Sequence, residues 1–132
     1  MRTRLALAAL ALASLAAPLA VTAPALASGG GGDAVRTHGG CDGAPVWKLK
    51  AKPDDGRIEV EAEVDSNKSG QVWDWTLKHD GSVSSRGSSK TAGTSGSFSV
   101  QRRMTNLAGT DHFVFRAERR STDQVCRGTI SL

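Results

Sequence analysis

The chain has 132 residues and a formal net charge of +4, with three Trp, three Phe and no Tyr. A chain of this length has room for one domain and its core. Acidic and basic residues are interleaved along most of the sequence, whereas a nucleic-acid binder concentrates Lys and Arg on one face beside stacking aromatic residues. The charge pattern therefore argues against nucleic acid as the partner.

Residues 1–27 have the pattern of a signal peptide. Arg2 and Arg4 give a positive start, an apolar run follows over residues 5–19, and small residues precede a cleavage site after Ala27. The apolar run is too short to cross about 30 Å of hydrocarbon. We therefore predict a secreted, extracellular protein without a membrane anchor in its mature form, and nearly neutral once the two arginines are removed.

Residues 28–40 form a Gly-rich, low-complexity segment with few apolar side chains. A segment of this composition cannot bury enough surface to order itself, so we predict a flexible leader. Ordered structure is expected to begin at Cys41 and to occupy residues 41–132 as one domain.

The chain contains two cysteines, Cys41 and Cys126. An even number of cysteines in an exported chain favours a disulfide over ligation of a metal. Closing a loop of about 85 residues stabilises a fold by about 4 to 5 kcal/mol in the chain-entropy estimate. We predict a bond between these two residues, which would tie the start of the domain to its last strand.

After the first cysteine, apolar and polar residues alternate with a period of two, as in β-strands. Residues 46–51 and 57–65 each combine an apolar face with a face of Lys or Glu. A four-residue turn between them would place Leu49 opposite Val60 and the Lys side chains opposite Glu. We interpret the resulting Lys/Glu ladder as a solvated face.

The next alternating segment places Trp73 and Trp75 on one face. A three-residue loop after it would bring Val83 opposite Leu77. The Ser- and Gly-rich residues 84–95 are expected to form an edge strand or a mobile connection.

The two tryptophans have two interpretations. They belong to the core, or, with the strand inverted, they form an exposed platform of the kind that stacks on sugar rings. Inversion would bury Asp74 and Lys78 while exposing both indoles, which is unfavourable on both counts. The core interpretation is therefore favoured.

Three further segments complete the alternating pattern. Residues 97–103 turn Phe98 and Val100 inward, and residues 111–119 and 124–132 form the last hairpin. Its four-residue loop aligns the inward residues in three pairs. These pairs are Phe113 with Ile130, Phe115 with Gly128, and Ala117 with Cys126.

About seven short strands at this spacing predict an all-β fold, a two-sheet antiparallel sandwich, with an open barrel as the alternative. The pattern resembles immunoglobulin-like domains, which have a Trp on the third strand and a corner like residues 107–117 before the sixth. Their disulfide joins the second and sixth strands. In this chain Ala62 and Phe115 stand at the positions comparable to those two cysteines, so the predicted disulfide differs from that of antibody domains.

The mature chain also resembles a group of small exported immunoglobulin-like β-sandwich proteins of actinobacteria. The shared features are an early Cys, Trp-x-Leu and Trp-x-Trp strands, a Gly-Ser-Phe-x-Val strand and a late Cys-x-Gly. The matching residues are Cys41, Trp47, Leu49, Trp73, Trp75, Gly96–Val100, Cys126 and Gly128. The group has no assigned activity, so the resemblance implies compartment and fold and supplies no catalytic residue.

Residues for catalysis are sparse. The chain has three histidines, His38, His79 and His112, and no Ser in a Gly-x-Ser-x-Gly setting. The histidines fall in the leader, a turn and the outward phase of a strand, and no spacing gathers them with carboxylates into a metal site. We predict that the protein is not an enzyme and uses no cofactor or metal.

Function is predicted as a non-catalytic extracellular interaction or structural module of unknown ligand. Two alternatives stay open: a carbohydrate or cell-envelope polymer binding domain, and a secreted enzyme inhibitor. The first alternative rests on the Trp pair and on the doublets Arg102-Arg103 and Arg119-Arg120, which would form a cationic patch for an anionic polymer. Candidate partners are thus an extracellular protein or an envelope polymer.

Overall fold

The structure is a computed structural model that describes residues 32–132, so the predicted signal peptide and the first part of the leader lie outside the described residues. The described part is all-β, as predicted, with eight strands. They are β1 (Val35–Gly40), β2 (Val46–Asp54), β3 (Arg57–Asp65), β4 (Val72–His79), β5 (Ser82–Lys90), β6 (Ser97–Thr105), β7 (His112–Arg119) and β8 (Val125–Ser131). Within this part of the chain, no helix is long and apolar enough to span a bilayer.

The strands form two four-stranded sheets with the orders β1-β2-β3-β6 and β5-β4-β7-β8. All neighbouring strands are antiparallel. The chain changes sheet after β3, after β5 and after β6, so β6 returns to the first sheet between two hairpins of the second. The prediction of a two-sheet antiparallel sandwich is confirmed.

Order begins before Cys41, and the predicted flexible leader is wrong for Val35–Gly40, which forms β1. This strand needs few apolar side chains because it pairs with the free edge of β2 through its backbone. The indole nitrogen of Trp47 donates to the Gly40 carbonyl at 3.2 Å. A Cβ at Gly39 would lie 2.7 Å from the same ring, so glycine permits the close approach.

The first hairpin keeps the predicted faces but not the predicted register. Leu49 lies opposite Ala62 rather than Val60. The turn has two residues, Asp55 and Gly56, with φ values of 49° and 73°. Asp-Gly is a preferred sequence for such tight hairpin turns, and shortening the loop by two residues moves the register without exchanging the faces.

The β4–β5 hairpin differs in the same way. Asp80 and Gly81 form a two-residue turn, and Val83 lies opposite Lys78 rather than Leu77. An irregularity in the pairing between Leu77 and Lys78 then shifts the rest of β5 by one residue. Strand β5 is an edge strand of its sheet, which was one of the two predictions for this Ser-rich segment.

The last hairpin has the predicted register in all three inward pairs. The core between the sheets buries the inward side chains of both, including Phe98 and Val100. Trp73 and Trp75 are 0% and 4% exposed, so the core interpretation is confirmed and an exposed aromatic platform is wrong for these residues. The predicted Cys41–Cys126 disulfide is present.

Candidate functional site

Six of the eight strands turn one face into the core, and their other faces form the two outer surfaces of the sandwich. The outer face of β2 and β3 is called the charge ladder. It consists of three cross-strand pairs between Lys and Glu with N–O distances of 3.2 to 3.4 Å. The pairs are Lys48–Glu63, Lys50–Glu61 and Lys52–Glu59.

Each lysine of the charge ladder is paired with a glutamate on the neighbouring strand. Burial acts to raise the pKa of Glu59, but hydrogen bonds from Lys52 and Gln101, together with the charges of Lys52 and Lys50, outweigh it and hold the pKa below its ordinary value. On the neighbouring strand, Arg103 pairs with Asp54 at 2.7 Å. Arg36 of β1 lies opposite Lys50 as a like charge. Elsewhere on this face, opposite charges neutralise each other.

The outer face of the second sheet has a different balance and is called the arginine face. Alternation turns six basic and two acidic side chains outward here. They are Lys78, Arg86, Lys90, Arg116, Arg120, Arg127, Asp74 and Glu118. Basic residues therefore outnumber acidic ones three to one on this surface.

Three of the arginines lie in one row across the four strands. Arg86 is paired with Thr76, Thr76 with Arg116, and Arg116 with Arg127. Arg116 also contacts Glu118 at 2.9 Å, while Arg86 and Arg127 have no ion-pair partner among residues 32–132. Two like charges thus lie directly opposite each other on β7 and β8.

The acidic residues of the arginine face lie in the next row, beside the arginines. Arg120 grips Asp74 through two nitrogens, at 2.6 Å and 3.1 Å, and the Ser88 hydroxyl donates to the same carboxylate. The hydrogen bonds from Arg120 and then Ser88 lower the pKa of Asp74, and the same contact with Asp74 raises the pKa of Arg120. These contacts hold Asp74, Ser88 and Arg120 in place along one side of the row formed by Arg86, Arg116 and Arg127.

Two shallow grooves adjoin the row and share Thr76 and Arg116. One of about 570 Å³ extends over Arg86, Ser88 and Arg120. The other, of about 250 Å³, is lined also by Lys78 and Arg127. The arginine face is therefore a contoured, cationic surface rather than a flat one.

The arginine doublets do not form the patches considered from the sequence, because adjacent strand residues point to opposite faces. Arg102 lies with its guanidinium 5.1 Å from the Trp75 ring and donates to Ser85, whereas Arg103 pairs with Asp54. Of the second doublet, only Arg120 belongs to the arginine face. The doublets are thus each divided between two environments.

Sequence reasoning missed Arg86, Arg116 and Arg127. A usable signal existed for two of them, because the register predicted for the last hairpin already places Arg116 opposite Arg127. Arg86 had no such signal, since its position depends on the irregular pairing after Leu77.

One cluster of titratable groups was also missed. The His79 ring stacks on Phe113 and places Nε2 2.5 Å from Oδ1 of Asp111 and 3.7 Å from Asp80. His79 ends β4 and is paired with Phe113 of β7, so sheet pairing joins residues that are distant in sequence. No spacing in the sequence indicated that His79 would meet these two carboxylates.

This cluster is explained by structure at the corner before β7. Asp111 is 1% exposed and also accepts from the Leu107 amide at 3.2 Å, so its carboxylate ties the corner to β4. A histidine and two carboxylates have the composition of a metal site. Nε2 of His79 contacts Oδ1 of Asp111, and Oδ2 of Asp111 is buried without a hydrogen-bond partner among the described residues.

The nearest approach to a nucleophile and base lies elsewhere. His112 Nδ1 and the Ser131 hydroxyl are 2.8 Å apart as exposed cross-strand neighbours. Hydrolases orient the second ring nitrogen with a third group. The hydrogen bonds of the described chain include no acid on the other nitrogen of His112, so this pair lacks the arrangement that activates a serine.

Comparison of the chain with known protein families, with curated proteins and with solved structures finds no match.

Proposed function

We propose that the chain is an exported, non-catalytic binding module that contacts an extracellular partner through its arginine face. The observation that supports this most directly is the cross-strand pair of Arg116 and Arg127. Like charges directly opposite each other destabilise a sheet. In the first sheet Arg36 also lies opposite Lys50, but Lys50 is paired with Glu61 at 3.4 Å, whereas Arg127 has no ion-pair partner among residues 32–132. Departures from such local rules concentrate at functional sites.

Export is supported by the pattern of residues 1–27 and is compatible with the Cys41–Cys126 disulfide, since such bonds persist in oxidising compartments. On this proposal a signal peptide ends at Ala27 and the mature protein is secreted. The paired cysteines are then structural.

We further propose that the sandwich is immunoglobulin-like. With β1 set aside, the sheets β2-β3-β6 and β5-β4-β7-β8 follow the strand order A-B-E and C′-C-F-G of that class. The buried Trp73 and Trp75 on β4 correspond to the tryptophan of strand C. Domains of this architecture commonly serve recognition outside the cell, which agrees with a binding role.

The absence of catalysis is part of the proposal. It is supported by the structural explanation of the His79–Asp111 pair and by the exposed, unassisted position of His112 and Ser131. Of the two alternatives raised from the sequence, polymer binding is supported by the arginine face. The argument from an exposed tryptophan pair no longer applies, because Trp73 and Trp75 are buried. No observation favours an enzyme inhibitor.

The test is retention of the labelled mature protein on isolated envelope of the producing cell. We expect the wild type to be retained and the variant Arg116→Gln/Arg127→Gln to be lost to the supernatant. The matched control Lys48→Gln/Lys50→Gln removes the same charge from the charge ladder and should behave like the wild type. Equal loss of both variants, or retention of both, would refute the assignment of the binding surface.

A further inference from the structure

The cations of the arginine face differ from those of the charge ladder in kind. The row uses guanidinium groups, whereas the ladder uses ammonium groups already paired with Glu. A guanidinium presents a planar fork of N–H donors that matches two oxygens of an oxyanion. The chemistry of the row therefore fits an oxyanion better than a general counter-charge.

The spacing of the row fits several anionic groups in series. Neighbouring strands lie about 4.8 Å apart, so Arg116 and Arg127 can hold one group together, and Arg86 lies about 10 Å further along. Thr76 occupies the gap between them. A ligand with repeated negative charges would engage the whole row, which a single small anion cannot do.

The row favours phosphate over carboxylate. Arg116 and Arg127 lie directly opposite each other on adjacent strands and on the same face, so two guanidinium forks can reach one shared anion. The oxygens of phosphate are tetrahedrally arranged and can accept from both, whereas the two oxygens of a carboxylate lie in one plane and best match one fork.

The face lacks groups that would read bases or sugar rings. The three tryptophans and three phenylalanines are buried, and the chain has no tyrosine. Binding of single-stranded nucleic acid depends on aromatic stacking in addition to charge. The ligand is therefore recognised through its charged groups rather than through bases.

Resting on the proposed function, we propose that the partner is a linear, phosphate-bearing polymer that crosses the strands along Arg86, Arg116 and Arg127. Lys78 borders this track on one side and the carboxylates of Asp74 and Glu118 on the other. The acids prevent the polymer from spreading toward Arg120. The track is thus one residue row wide.

The test uses fluorescein-labelled inorganic polyphosphate and measures anisotropy with the mature protein. We expect binding that weakens with added salt and that falls about 30-fold in the triple variant Arg86→Gln/Arg116→Gln/Arg127→Gln. The control Lys48→Gln/Lys50→Gln/Lys52→Gln removes equal charge and should stay within about threefold of the wild type. The triple Arg→Lys variant keeps the charge and should bind about tenfold more weakly.

A second variant tests the proposed path of the polymer by an expected gain, rather than a loss, of affinity. Glu118→Gln removes an acid at the border and frees Arg116 from its ion pair, so the affinity should rise by about threefold. This variant also keeps the test decisive if the triple variant does not fold, which circular dichroism would reveal. An unchanged or lower affinity contradicts the proposed path.

The remaining outcomes separate the two proposals. Equal binding of alginate, a polycarboxylate, would refute the preference for phosphate while leaving the arginine face as the binding surface. Absence of polyphosphate binding by a protein that is retained on envelope through Arg116 and Arg127 would overturn only the ligand class. Equal weakening in the Lys control would overturn both.

Discussion

The two outer faces of the sandwich are built by the same alternation of apolar and polar residues, but they differ in the charges that lie opposite each other. On the charge ladder, Lys50 lies opposite Glu61, and each charge lowers the cost of the other. On the arginine face, Arg116 lies opposite Arg127, and the pair opposes sheet formation. A strand pattern thus sets which residues face outward, while the sign of the neighbouring charges distinguishes a stabilising surface from a binding one.

Both faces are supported by one core. Removal of the disulfide should therefore destabilise both sheets together, and we expect this to be the largest loss of stability. The bond joins Cys41, next to β1 of the first sheet, to Cys126 in β8 of the second. We expect Cys41→Ser/Cys126→Ser to lose about 4 kcal/mol of unfolding free energy in urea titration. Unchanged stability, or unfolding of one sheet before the other, would contradict this account.

A glycine contact between the sheets should give the next largest effect. A Cβ at Gly128 of the second sheet would lie 2.5 Å from the Trp47 ring of the first. Gly128→Ala should cost about 1 to 3 kcal/mol through overpacking. The control Gly40→Ala adds a Cβ with no atom within 4 Å and should change the thermal midpoint little; equal effects would contradict the packing described.

Charge reversal tests the contrast between the faces directly. Arg127→Glu gives Arg116 an opposite charge and should raise the unfolding free energy by about 0.5 kcal/mol. Glu61→Lys places a cation opposite Lys50 and should lower it by a similar amount. Urea unfolding at low salt measures both. If both reversals shift stability in the same direction, the two faces do not differ as described.

The smallest expected effect is a pH dependence from the charge ladder. The pKa of Glu59 is lowered in the fold, so its contribution is complete above the ordinary value of 4.5 and disappears as the pH falls through the lower folded value. Glu59→Gln should reduce the acid sensitivity of stability by less than about 0.5 kcal/mol. Carboxyl titration by NMR that places the pKa of Glu59 above 4.5 would contradict the sign.

Sequence patterns predicted faces more reliably than register. In the first hairpin, a shift of two residues keeps Lys opposite Glu and apolar opposite apolar, so several registers satisfy the same pattern. Only the Asp55-Gly56 turn selects one. The last hairpin was predicted correctly because its predicted four-residue loop is the one the structure has, closed by the hydrogen bond from the Arg119 amide to the Gln124 carbonyl.

The features that escaped prediction depend on contacts distant in sequence. Strand β1 is stabilised by the edge of β2 rather than by its own composition. The His79–Asp111 pair requires β4 to lie beside β7, and the position of Arg86 requires the irregular pairing after Leu77. Local periodicity contains no information about which strands become neighbours, so the candidate site could be predicted only in its Arg116–Arg127 half.

The most direct test of the binding surface is NMR mapping of the mature protein during titration with anionic polymer released from the producing cell's envelope. If the arginine face is the binding surface, shift changes concentrate at Thr76, Arg86, Arg116 and Arg127 and leave the charge ladder unchanged. Changes centred on Lys48 to Lys52, or no changes at saturating polymer, would contradict this assignment.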